Sequence, residues 1–178
     1  MKSLGEEKNM SEVEVWLRGP LRGVDPLLMP VAHTLVQVAE DAPRIVAGLS
    51  PEELRRRPGG VASVAFHLRH IGGSIDRLRT YARGESLSDA QLAAARKEGD
   101  DDAPPNGADL VILVRAAVDR ALEQVRSTSR QNLTEPRKVG RDGLPSTVVG
   151  LLTHCAEHAL RHSGQALTTA AILRGTRA

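Results

Sequence analysis

Aromatic residues are nearly absent from this 178-residue chain, which contains one Trp, one Phe and one Tyr. β-Sandwiches draw on β-branched and aromatic residues for their strands, whereas close-packed helices are readily built from Ala, Val, Leu and Ile. Hydrophobic residues make up 40% of the chain and charged residues 26%, which is typical of a folded globular protein. The composition therefore favours a single helical domain.

Other absences exclude whole classes of protein. The single cysteine, Cys155, rules out an internal disulfide framework and a cysteine-rich zinc module. No apolar run approaches the roughly eighteen residues of a membrane span, and residues 1–10 are charged, unlike a signal peptide. The net charge is +2, and the basic residues are scattered among acids without interleaved aromatics. We therefore expect a cytoplasmic protein that binds neither membrane nor nucleic acid.

Helical spacing of apolar residues predicts four long helices, over about 25–45, 61–83, 106–126 and 145–173. Pro43 is expected to kink or end the first of them. Capping sequences at Ser50 and Ser88 predict short helical inserts, and residues 127–144 form a long connection without convincing strand alternation. The predicted fold is an all-α four-helix bundle of residues 25–178. Residues 1–24 form an arm, with Trp16 as a candidate for packing on the body.

The strongest functional signal comes from histidines on the last predicted helix. His154, His158 and His162 follow one another at intervals of four residues and form a stripe about 80° wide on a regular helix. A pair of histidines with this spacing can hold one metal ion. His33, which stands alone on the first helix, is better explained as a hydrogen-bonded core or boundary residue.

A second histidine cluster, His67 and His70, lies on the helix predicted over 61–83. Two histidines on one helix do not complete a stable metal site, but ligands from a facing helix would complete it. Such a site would keep one coordination position for water or substrate. The periodicity places His67 nearer the middle of the apolar face and His70 about 60° further round.

Sequence motifs in both clusters resemble the DinB-like superfamily, which includes YfiT-like metal-dependent hydrolases and thiol-dependent S-transferases. The superfamily's closing motif is His, three residues, His, one residue and Gly-Gln, and it maps here onto His158, His162, Gly164 and Gln165. Its members also tend to place a Ser seven residues before the first ligand histidine, which is the spacing of Ser63 and His70. The resemblance covers residues 25–174 in element order.

The resemblance implies one divalent transition metal, zinc first and nickel second, bound by His70, His158 and His162. His154 and His67 are alternative ligands. Burial alone favours His67 as the ligand of its helix, but we follow the motif spacing, which selects His70. His67 is then expected to be a base, a pocket residue or a neighbour that orients a ligand.

The function implied by the resemblance is a metal-dependent S-transferase or hydrolase acting on a small molecule, with a low-molecular-weight thiol as one candidate. Arg77 and Tyr81 follow His70 along one flank of the helix and are candidate substrate contacts, although a surface or interhelical ion pair is the better explanation of Arg77. Cys155 is better interpreted as a small buried apolar residue than as a ligand or nucleophile.

Two other functional classes stay open at this point. The protein could be a non-catalytic, metal-stabilised binding or stress-related protein, or a metal-free helical interaction module. The resemblance is compatible with a homodimer, but no exposed heptad or apolar patch in the sequence indicates one independently.

Overall fold

The computed structural model describes residues 13–99 and 105–176, most of which belong to four long helices. These are α1 (Met29–Val46), α3 (Val64–Ala82), α5 (Gly107–Ser127) and α6 (Val148–Gly175). Two short helices, α2 (Pro51–Arg55) and α4 (Asp89–Lys97), and two short strands, β1 (Pro136–Val139) and β2 (Leu144–Thr147), connect them. The predicted all-α four-helix bundle is confirmed.

The long helices are arranged so that α3 and α1 each pack against both α5 and α6, and α1 and α3 lie across the bundle from one another. On α3, the side chains of Leu68, Ile71 and Ile75 are completely buried. Burying one such side chain contributes roughly 1.5–3 kcal/mol of hydrophobic stabilisation. The apolar faces therefore fix the rotation of each helix and make α3 and α6, which carry five of the six histidines, direct neighbours.

Polar caps define where the functional helices begin. Ser63 is completely buried and accepts a hydrogen bond at 3.2 Å from the backbone N–H of Phe66, so it caps α3 four residues before His67. The capping boxes predicted at Ser50 and Ser88 are both present and begin α2 and α4. A cap of this type stabilises a helix by about 1 kcal/mol.

The connection before α6 differs from the prediction, because it contains an antiparallel hairpin of β1 and β2. Pro145 pairs with Lys138 in this hairpin, so α6 begins at Val148 and not at Pro145. Each strand has four residues, too few for a clear alternation of apolar and polar positions. A proline is tolerated here because a two-stranded sheet consists of edge strands.

The expectation that Trp16 packs on the body is wrong. Its side chain is 62% exposed and donates to Glu14, whereas the neighbouring Val15 is buried. Arg18 then pairs with Glu40 of α1 at 2.5 Å. The first half of the predicted arm, residues 1–12, lies outside the described residues.

Pro43 lies inside α1, which continues for one more turn, to Val46. It therefore does not end the helix early. Across residues 13–99 and 105–176, no helix combines the length and the apolar character that crossing a bilayer requires.

Candidate metal centre

The contact between α3 and α6 brings His70, His158 and His162 together. Each offers one ring nitrogen, and these three atoms lie within 4.8 Å of one another. The Nε2 atoms of His70 and His158 are 2.9 Å apart, and the ring centroids of His70 and His162 are 4.4 Å apart. All three rings are partly buried. These are the three residues that the motif spacing selected.

His67 lies beside this group, deeper in the bundle. It is 5% exposed, and its Nδ1 lies 3.0 Å from Nδ1 of His162. Helical periodicity therefore identified the more buried histidine of α3, His67. Motif spacing identified His70, the histidine that belongs to the group of three. Because one ring donates to the other, His67 constrains the tautomer of His162.

A carboxylate that the sequence interpretation missed completes the surroundings of His70. Glu98, the residue that follows α4, accepts from Nδ1 of His70 at 2.7 Å and from a guanidinium nitrogen of Arg77 at 2.5 Å. No pattern in the sequence indicated Glu98, because it lies 28 residues from His70 and outside the helix that carries His70. Phe66 stacks on His70, with the two ring centroids 5.4 Å apart and the ring planes nearly parallel.

The electrostatics favour neutral imidazoles. Burial and the neighbouring histidines lower the pKa of His162 to about 4, and burial followed by the charge of His70 also lowers the pKa of His158 and of His67. For Glu98, burial alone would raise the pKa, but hydrogen bonds from His70 and Arg77 and their charges outweigh it and leave the pKa below its usual value. The neutral forms of His67, His158 and His162 are therefore favoured, close to an ionised carboxylate.

The donor set fits a divalent transition ion. Nitrogen atoms bound at about 2.1 Å to one tetrahedral ion lie roughly 3.4 Å apart. The three atoms here lie within 4.8 Å of one another, a spacing of the same order. Metal binding requires deprotonated imidazole, which the lowered pKa values supply. Imidazole ligands suit zinc, nickel, copper and iron, so the set is compatible with the predicted zinc or nickel without selecting between them.

Neither His154 nor His33 belongs to the group of three. The side chain of His154 is 51% exposed and pairs with Glu157 at 3.2 Å, although its ring centroid is 5.3 Å from that of His158. His33 contacts the backbone carbonyl of Gly19 at 2.9 Å and so ties the N-terminal segment to α1.

The two candidate substrate contacts occupy different surroundings. Arg77 is directed to Glu98, as the ion-pair interpretation anticipated, and its side chain is 17% exposed. Tyr81 lies in a cleft formed with the β1–β2 hairpin, and none of the clustered histidines lines that cleft. Cys155 is buried, and burial raises its pKa to about 12, which is typical of an inert apolar-site thiol.

A cavity of about 650 Å³ adjoins the histidine cluster. It lies between the segment before α3 and the second half of α6, and His67 forms part of its wall. Its apolar lining includes Val61 and Ile172, and its polar lining includes Gln165 of the closing motif. A cavity of this size accommodates a small organic molecule.

Comparisons with known proteins agree with this architecture. A conserved protein from Enterococcus faecalis has a similar crystal structure, with a TM-score of 0.63 and 17% sequence identity, covering 84% of this chain and 98% of that one; at this identity the likeness shows the fold alone. No curated protein matches the chain. The family model of the DinB superfamily matches residues 34–166, a range that includes all three clustered histidines. The chain therefore belongs to the DinB superfamily.

Proposed function

We propose that this protein is a metal-dependent enzyme of the S-transferase or hydrolase kind, with one divalent transition ion held by His70, His158 and His162. The observation that carries the proposal is the convergence of these three imidazoles from α3 and α6. When bound, such an ion stabilises the deprotonated form of water or of a thiol and so provides a nucleophile near pH 7. Zinc is the proposed ion and nickel the second candidate.

Three protein ligands leave one position of a four-coordinate ion free for a small molecule. This property distinguishes a catalytic site from a structural one, which is closed by a fourth protein ligand. Among the described residues, three histidines contribute ligand atoms to the group, which corresponds to the catalytic type of site.

The chain's own residues supply binding and proton handling around the centre. His67 contacts His162 and lines the adjoining cavity, so it is the proposed proton acceptor or substrate contact. The cavity wall combines apolar side chains with the amide of Gln165, which suits a small substrate with an apolar part and a hydrogen-bonding group. A low-molecular-weight thiol is the proposed co-substrate for the transferase reaction.

Cobalt substitution tests the proposal directly. The visible absorption of Co²⁺ reports its ligands, so the spectrum of the cobalt-loaded protein should change when a small thiol is added and should change again with pH if water ionises at the centre. The matched variants are His67→Ala, which should retain the ion but respond differently to thiol, and His33→Ala, which should behave as the wild type. A spectrum insensitive to both thiol and pH would contradict an open coordination position.

A non-catalytic role for the ion is favoured by one observation: its proposed ligands come from two neighbouring long helices, which the ion would join. In that case chelation lowers thermal stability, as it also does for the enzyme, but neither thiol nor pH alters the cobalt spectrum. The same experiment therefore separates the two functions.

A further inference from the structure

Glu98 is directed at His70 from outside the four-helix bundle. Its Oε2 lies 2.7 Å from Nδ1 of His70, and its side chain is 10% exposed. An ionised carboxylate only accepts hydrogen bonds, so the proton of this contact resides on Nδ1 of His70. In the neutral form of His70, this proton position leaves a free electron pair on Nε2, the atom that lies 2.9 Å from Nε2 of His158.

Arg77 fixes the carboxylate in this position. Its two terminal nitrogens lie 2.5 Å from Oε1 and 3.4 Å from Oε2 of Glu98, so the guanidinium approaches both oxygens. His70, Gly73 and Arg77 follow one another along the same face of α3, because their spacings of three and four residues correspond to about one turn each. The guanidinium thus holds Glu98 over the ring of His70.

Gly73 provides the space in which this contact forms. A Cβ atom at this position would lie 2.1 Å from Oε1 of Glu98 and 2.8 Å from a terminal nitrogen of Arg77, both closer than atoms can approach. Glycine lowers helix stability by roughly 0.5–1 kcal/mol relative to alanine, so its place inside α3 has a local cost. At position 73, the absence of a Cβ leaves room for the side chain of Glu98.

The short helix α4, which precedes Glu98, has no fully buried residue, and polar contacts attach it to α3. Gln91 donates to Asp76 at 2.7 Å and to Thr80 at 2.8 Å, and so attaches the first turn of α4 to α3. Glu98 attaches the other end through His70 and Arg77. The element is thus positioned by hydrogen bonds at both of its ends.

We infer that Glu98 is a positioning residue for the metal centre: it holds His70 in the Nδ1–H tautomer and in the orientation that presents Nε2 to the site, with Arg77 fixing the carboxylate. This inference rests on the proposed metal-binding function. Contacts of this kind typically account for a 10- to 100-fold difference in metal affinity when they are removed. Arg77 then serves the centre through Glu98, and not through contact with substrate.

The test compares Glu98→Gln with a matched control, Glu85→Gln, which removes an equivalent carboxylate from an exposed ion pair with Arg83. Zn²⁺ affinity is measured by competition with a chromophoric chelator. The ring ¹⁵N shifts of His70 are measured in the metal-free protein at pH 7.5 and assigned with a His70→Gln variant. Glu98→Gln should weaken Zn²⁺ binding by about 10- to 100-fold and shift His70 away from the Nδ1–H tautomer. Glu85→Gln should change neither.

Two results distinguish failure of this inference from failure of the proposed function. If wild-type protein binds Zn²⁺ and Glu98→Gln leaves both its affinity and the ¹⁵N shifts of His70 unchanged, the role of Glu98 is refuted while the metal centre stands. If wild-type protein binds no Zn²⁺, the proposed function fails, and a changed His70 tautomer in metal-free Glu98→Gln still supports the positioning contact. Arg77→Gln provides a second variant: a weakening that is not additive with that of Glu98→Gln supports their action as one unit, and full additivity contradicts it.

Discussion

Two glycine-to-alanine substitutions should change stability in opposite directions. Gly164 and Gly73 both lie inside long helices, α6 and α3, where replacing Gly with Ala gains about 0.5–1 kcal/mol of helix propensity. A Cβ at Gly164 meets no atom within 4 Å, so nothing offsets this gain. Gly164→Ala should therefore raise the Tm by about 1–4 °C, given roughly 2–4 °C per kcal/mol for a protein of this size.

At Gly73 the gain is outweighed. The new methyl group must displace the carboxylate of Glu98 and the guanidinium of Arg77, which are the flexible ends of long side chains and can move without disturbing the backbone. The displaced contacts include hydrogen bonds to charged groups, worth about 1.5–3 kcal/mol each when largely buried. We expect a net loss of about 1–2 kcal/mol and a fall in Tm of about 2–8 °C.

Differential scanning calorimetry of both variants in the presence of a chelator measures these shifts without a contribution from bound metal. Zn²⁺ affinity, measured separately, should fall for Gly73→Ala and stay unchanged for Gly164→Ala. If both variants gain the same stability and bind Zn²⁺ equally well, then Glu98 does not occupy the space beside Gly73, and the network built on it is wrong.

Three further predictions concern the helix cap at Ser63, the thiol of Cys155 and the dependence of stability on pH. Ser63→Ala should lower stability by about 1–2 kcal/mol, measured by urea unfolding, because the backbone N–H of Phe66 loses its buried acceptor; Ser63→Thr should retain most of it. Cys155 should resist a thiol-specific reagent in the native protein and react fully in denaturant, since its buried thiol has a pKa raised to about 12; rapid native labelling would contradict this. Metal-free protein should lose stability as the pH falls from about 6.5 towards about 4. In this range histidine in the unfolded chain, with a pKa near 6.5, binds a proton, whereas folded His162, with a pKa lowered to about 4, does not. The unfolded state therefore binds more protons and is favoured by the lower pH. His162→Asn should flatten this dependence of Tm on pH, and an unchanged slope would refute the lowered pKa.

The fold was largely predictable because each long helix is specified by a pattern within its own stretch of sequence. Apolar positions at helical spacing located the four long helices to within a few residues, and the predicted caps at Ser50 and Ser88 occupy the residues where helices begin. The hairpin before α6 was missed because four-residue strands carry almost no periodicity, and because Pro145 is as compatible with a first helical turn as with an edge strand.

The candidate site was predictable only in part. Histidines four residues apart on α6 were recognisable from spacing, and the resemblance selected His70 over His67 where burial alone would have selected the other. Glu98 could not be found in this way, since its place depends on how α4 lies against α3, and that docking rests on individual hydrogen bonds from residues such as Gln91. Arg77 was considered as a substrate contact or as an ion-pair partner, and its observed contact with Glu98 depends on the same docking.

The metal content of the purified protein tests the central claim most directly. Elemental analysis after loading with Zn²⁺ and gel filtration should give about one equivalent per chain for the wild type and for His33→Ala, whose ring contacts Gly19 away from the cluster. His158→Ala and His162→Ala should each lose the ion. Retention of a full equivalent by both α6 variants, or absence of metal from the wild type, would contradict a centre built from histidines of α3 and α6.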